Sequence, residues 1–123
     1  KLSDEDLTFF DAAGDFDNFA AKLLEGGAKL VVMTEGGEGA VGVSRAGKAR
    51  APGSKVNVVD TVGAGDTVNA GILAWLSKAG KLNKNALENL SRDDMSEALS
   101  LAVRAAAVTV SRAGANPPWA HEL

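Results

Sequence analysis

A β-rich run, Lys55-Val56-Asn57-Val58-Val59, passes without a break into Asp60-Thr61-Val62-Gly63-Ala64-Gly65-Asp66 and then into a helical pattern that reaches Ala79. Val68, Ile72, Trp75, Leu76 and Ala79 recur at helical spacing, and Gly80 supplies the stop. A strand that feeds a helix through a turn of small residues belongs to layered α/β proteins, where strands and helices alternate around one core. The turn also leaves backbone N–H groups bare at the positive end of a helix, an arrangement that suits anions.

The remainder of the chain repeats the alternation. Ser3 can cap a short helix with Asp4, Glu5 and Asp6 in its first turn, ending near Gly14. Phe16, Phe19, Ala20, Leu23 and Leu24 mark a second helix that Gly26-Gly27 terminates. Lys29 to Thr34 is an apolar β-branched run of the kind buried in a parallel sheet, followed by a glycine-rich turn from Glu35 to Gly39. Ala40–Ser44 and Lys48–Ala51 predict a hairpin around Arg45-Ala46-Gly47. Lys81 to Arg92 reads as loop with a short turn. Asp94-Met95-Ser96-Glu97 has capping-box spacing before Ala98–Val110, an Ala-rich helix apolar nearly all round and therefore expected to be buried. The whole predicts an α/β fold with a largely parallel sheet.

With 123 residues the chain is one domain or a piece of one, and a formal net charge of -3 with mixed signs provides no basic footprint for nucleic acid or anionic membrane. No cysteine is present, so there is no disulfide framework or thiolate metal site; with no long apolar run or signal peptide, the cytoplasm is the expected location. Lys1-Leu2-Ser3-Asp4 reads as the start of an internal helix, which predicts that the chain is a fragment.

Three glycine-bearing stretches could cradle phosphate. Gly37-Glu38-Gly39-Ala40-Val41-Gly42 satisfies G-x-G-x-x-G, but a β run follows where the dinucleotide motif requires a helix. Gly42 to Lys48 spells G-x-x-x-x-G-K, yet Ala49 follows and cannot ligand magnesium. Gly63-Ala64-Gly65-Asp66 alone has a strand before it and a helix after it. There the loop N–H groups could stabilise a transferring phosphoryl group, while Asp66 could accept the proton of an attacking hydroxyl. Spacing also fits a plain β-to-α turn with Asp66 as its N-cap and Asp60 as a turn initiator.

The stretch Asp60-Thr61-Val62-Gly63-Ala64-Gly65-Asp66-Thr67-Val68-Asn69-Ala70-Gly71 closely resembles the C-terminal signature of the ribokinase-like (PfkB) carbohydrate kinases. The run at Lys29–Thr34, Val58-Val59-Asp60 and Val110-Ser111-Arg112-Ala113-Gly114-Ala115 match in the same order, so the resemblance covers nearly the whole chain. It implies a three-layer α/β/α ribokinase-like (Rossmann-like) fold, of which residues 1–123 form a single C-terminal, nucleotide-binding portion with a mostly parallel sheet. The sugar-binding glycines and β-sheet lid of the family's N-terminal half are not in this chain.

The resemblance further implies ATP-dependent phosphorylation of a sugar hydroxyl, with magnesium and a potassium ion as companions of the nucleotide. Bacterial fructokinases are the most similar members. Asp66 matches the catalytic base, and Gly63, Ala64 and Gly65 match the anion hole. Thr34, Glu35, Gly36, Gly37 and Gly39 match a turn that contacts nucleotide phosphates. Asp60, Val62, Thr109, Arg112 and Gly114 match positions that hold a monovalent cation, mostly through backbone carbonyls. Three residues depart from the pattern: Val68 replaces Phe, Val103 stands where Asn often lines the adenine pocket, and Pro118 replaces a small residue near the cation. A small-molecule sugar is the implied partner, with oligomers expected only in a longer protein. A nucleoside or other small-molecule acceptor, or a nucleotide-binding fragment without catalysis, are the competing readings. His121, Trp75 and Trp119 are expected to be surface or packing residues.

Overall fold

The computed structural model describes residues 1–11 and 13–123. Four strands, β1 (Leu2–Ser3), β2 (Leu30–Thr34), β3 (Gly39–Ser44) and β4 (Gly47–Pro52), lie side by side in that order. Helices α1 (Asp4–Phe10) and α2 (Phe16–Glu25) precede β2, and α3 (Ala64–Lys78), α4 (Lys84–Glu88) and α5 (Arg92–Val110) follow β4. The two faces of the sheet are covered by different helices. Val31, Met33 and Val41 pack with Leu2, Leu7, Phe16 and Ala20 on one side. Val32, Ala40 and Ala51 pack on the other side with Val68, Ile72 and Leu76 of α3 and Leu99, Ala102 and Val103 of α5. Alternation along β2 and β3 thus produces the expected α/β/α layering, because successive side chains point to opposite faces.

The sheet is mixed and not mostly parallel. Only β1 and β2 run parallel, through Leu2 opposite Met33 and Ser3 opposite Thr34; β2–β3 and β3–β4 are antiparallel. Short connections decide this, since a parallel return needs a crossover, whereas β2–β3 is joined by a single 3-10 turn at Gly36–Glu38 and β3–β4 by a hairpin. The expected strand at Lys55–Val59 is also absent. Val59 N and Asp60 N both donate to Val110 O, at 2.7 and 3.2 Å, so the segment is drawn onto the end of α5 and pairs with no strand.

Helices α1, α2, α4 and α5 start at side-chain caps. Ser3 Oγ accepts from Asp6 N at 3.0 Å while Ser3 N donates to Asp6 Oδ2 at 2.9 Å, a reciprocal cap. The α1 helix stops at Phe10, short of Gly14, because Asp11 turns to an extended conformation. Helix α5 starts earlier than its Asp94 spacing predicts. Ser91 is the cap, and Asp94 is the acid that reaches back, with bonds of 3.1 and 2.9 Å. Leu90 and Met95, both buried, flank that cap as a hydrophobic staple.

Helices α3 and α5 pack backbone to backbone where Gly71 faces Ala102. A Cβ added at Gly71 would lie 2.6 Å from Ala102 Cα, so glycine is what lets the two backbones meet. No helix among the described residues is long and apolar enough to cross a membrane.

Candidate functional site

The loop ahead of α3 is held from both sides before any ligand is considered. Gly63, the N-cap of α3, has φ +80°, and a Cβ there would come within 3.0 Å of Ala115 Cβ, so both conformation and space favour glycine. Asp60 Oδ1 accepts from Val62 N at 3.0 Å, and Asp60 Oδ2 accepts from Gly114 N at 2.9 Å. Those amide hydrogen bonds, Val62 first and then Gly114, hold the Asp60 carboxyl below its ordinary value. Deeper in, Thr67 Oγ1 donates to Gly63 O at 2.9 Å and lies 3.0 Å from Thr109 Oγ1, which itself lies 3.1 Å from Ala105 O. Both threonines are buried, so the end of α5 and the start of α3 are joined by a buried hydroxyl pair.

Asp66 is not the N-cap; Gly63 is, and no side chain caps the helix. Among the described residues the amides of Gly63, Gly65 and Asp66 donate to no protein acceptor, while Ala64 N reaches Thr61 O at 3.2 Å. The first turn of a fifteen-residue helix therefore presents unsatisfied N–H groups and the positive end of its dipole. Asp66 is exposed beside them.

A cleft of about 470 Å³ opens next to this loop. Thr34, Gly36, Gly37 and Gly39 form one wall, Ala64 and Gly65 another, and Val103, Ala106, Ala107 and Val110 of α5 a third. The structure thus brings together the glycine turn after β2, the start of α3 and one face of α5. Val103, an apolar residue 8% exposed, makes its part of the wall suited to the face of a flat ring and unable to hydrogen-bond one through its side chain.

Other residues singled out in the sequence stand apart from the cleft. Gly63 and Asp66 flank its mouth in sequence but do not line it. Glu35 turns aside to pair with Arg50. Asp60, Val62 and Gly114 are linked by hydrogen bonds, and Arg112 N donates to Thr109 O at 3.1 Å, yet none of these five residues lines the cleft. The Arg112 guanidinium is paired with Glu122. Among the described residues no three Asp, Glu, His or Cys side chains converge, so the chain offers no side-chain cage for magnesium; a nucleotide's phosphates would have to supply most of its ligands. His121 and Trp119 are exposed, and Trp75 packs partly buried against the α3–α5 core.

Two lysines escaped the sequence reading. The Lys1 ammonium lies against Gly65, 2.9 Å from where a Cβ would be, at the start of α3. No local pattern marks it, because β1 brings Lys1 there through pairing with a strand thirty residues away. Lys55 lines the cleft, hidden in the sequence within a run that reads as a strand.

Residues 4–122 match the family described as pfkB family carbohydrate kinase. The chain is 52% identical over 90 residues to a fructokinase of Rhizobium leguminosarum bv. trifolii, covering 73% of this chain and 28% of that protein. It is 38% identical over 120 residues to a probable chloroplastic fructokinase of Arabidopsis thaliana, covering 95% of this chain and 29% of the relative. Among solved structures, a Xylella fastidiosa fructokinase with bound ATP superposes with a TM-score of 0.81 at 25% identity, over 93% of this chain and 36% of that one. Aminoimidazole riboside kinase from Salmonella enterica, complexed with aminoimidazole riboside and an ATP analogue, gives 0.73 at 27% identity, over 94% and 37%. The chain spans 28% and 29% of the two curated relatives' lengths.

Proposed function

The chain belongs to the pfkB family of carbohydrate kinases, and on that footing we propose that it is the C-terminal, nucleotide-binding portion of an ATP-dependent sugar kinase, with Asp66 as the general base. The observation that carries this reading is the single cleft that joins the Thr34–Gly39 turn to Ala64 and Gly65 at the start of α3. A nucleotide laid against the apolar face of α5 would direct its phosphates toward bare N–H groups. Asp66 would accept the proton of an attacking hydroxyl while the Gly63, Gly65 and Asp66 amides and the Lys1 ammonium stabilise charge on the transferring oxygens. Magnesium would enter with the phosphates and neutralise part of their charge. A monovalent cation at the Asp60–Gly114 crossing would act on the loop from behind, outside the cleft.

Fructose is the acceptor we favour, because the relatives described as fructokinases reach 52% identity. The fold likeness to aminoimidazole riboside kinase keeps a nucleoside as the second candidate. Fructose and aminoimidazole riboside assayed side by side with ATP separate the two. In the active kinase, Asp66→Asn should lower kcat by about a hundredfold or more, as expected for loss of a general base, with ATP affinity nearly unchanged. Undiminished turnover in that variant would remove Asp66 from the chemistry.

A further inference from the structure

The cleft has a marked charge asymmetry. Of the side chains that line it, Lys55 alone is charged, and no carboxylate lines it. Lys55 forms none of the ion pairs found among the described residues, as is true also of Lys22, Lys78 and Lys84, but of these lysines it alone lines the cleft. Lys55 is exposed where it lines the cleft, so its ammonium is free to turn toward an anionic occupant, with an attraction that water and salt screen in part.

The backbone leading to Lys55 is held two residues earlier. Gly53 N donates to Glu38 O at 3.0 Å, and a Cβ at Gly53 would lie 1.9 Å from Gly37 O. The chain entering Lys55 is therefore clamped to the glycine turn that forms one wall of the cleft, with Ala64 and Gly65 in another. A lysine there has a flexible four-carbon stem and three rotatable donors, and acts on phosphate as a mobile point charge.

We propose that Lys55 is a nucleotide-binding residue that reads the polyphosphate chain, so that the cleft prefers a nucleoside di- or triphosphate over the bare nucleoside. The assignment rests on the nucleotide reading of the cleft but names a contact which that reading does not require. Ala64, Gly65 and the α3 dipole serve any anion at the helix start; Lys55 adds a charge on the side of the Gly36–Gly39 turn.

The test is calorimetric titration of the protein with ATP, ADP and adenosine, using the native chain, Lys55→Met and Lys55→Arg, with thermal unfolding as the check on folding. Lys55 is exposed, so Lys55→Met is expected to leave the melting temperature of the free protein unchanged. Loss of one charge-assisted contact should weaken ATP and ADP about tenfold or more while leaving adenosine unaffected, and Lys55→Arg should recover most of the loss. If the native chain binds ATP and Lys55→Met binds it equally well, or loses ATP and adenosine by the same factor, the Lys55 assignment is wrong and the nucleotide cleft stands. If the native chain binds none of the three, the cleft is not a nucleotide site and both readings fall.

Discussion

Asp60 shows how one side chain can serve a site without facing it. Its two oxygens accept from Val62 N and Gly114 N, and the charged form is the one those amides stabilise. Because its folded pKa is depressed below the ordinary 3.8, its contribution is fully present above that value and is lost as pH falls through the lower folded one. As pH falls below 3.8 and through the folded pKa, the Val62 and Gly114 amides should therefore lose protection relative to the intrinsic exchange rate of an unstructured chain at the same pH. Nitrogen-resolved proton NMR across that range measures it, and two amides that keep their protection would show that the carboxylate does not hold the loop. The sequence gives Asp60 a turn-initiating role, which the bond to Val62 fits. It offers no sign of the second bond, because Gly114 lies fifty-four residues away and only the packing of α5 brings it near.

Among elements, the α3–α5 pair decides where the cleft lies. Helix α5 donates Val103, Ala106, Ala107 and Val110 to one wall while Met95, Ala98, Leu99 and Ala102 are buried beneath. Two effects oppose each other at Gly71. Replacement by alanine gains about 0.8–1.0 kcal/mol of helix propensity in an exposed helix interior. Here the new Cβ would sit 2.6 Å from Ala102 Cα, which is backbone and cannot swing aside, and overpacking of this kind costs about 1–3 kcal/mol. Gly71→Ala should therefore be destabilising in urea unfolding, and Ala102→Gly, which leaves that Cα in place, should not restore the loss in the double variant. A more stable Gly71→Ala would mean that the helices part at little cost. The helices themselves were legible from periodic apolar residues and terminal glycines. Their starts were harder to read: Ser91 and Asp94 share one cap, and the same Asp94 can be read as a cap in its own right until the reciprocal bonds are seen.

For the molecule as a whole, layering followed from alternation along β2 and β3, but strand direction did not. Apolar runs such as Lys29–Thr34 look alike in parallel and antiparallel sheets when both faces are covered, and here both are. The Lys55–Val59 segment misled for a related reason. Its β-branched residues favour an extended backbone, but Val110 O takes the amides of Val59 and Asp60, and no strand pairs with the segment. The resulting cleft spans elements from residue 34 to residue 110, so a ligand that fills it should stabilise the folded chain globally. ATP at about a hundred times its dissociation constant would contribute about 2.7 kcal/mol. For a domain of this size that is a rise on the order of 10 °C in melting temperature, readable by differential scanning fluorimetry. An unchanged melting temperature at saturating ATP would count against the cleft as its binding site.

Val103 belongs at once to the packed interior and to the wall of the cleft. Any change there that alters the shape offered to a ring also alters how α5 seats on α3. The shape of the cleft can therefore be changed at this position only within a narrow range of side-chain volumes, or after stability has been gained elsewhere. Lys55, exposed and clear of the core, carries no such constraint, so a substitution there should change the proposed response to phosphate without altering how α5 seats on α3.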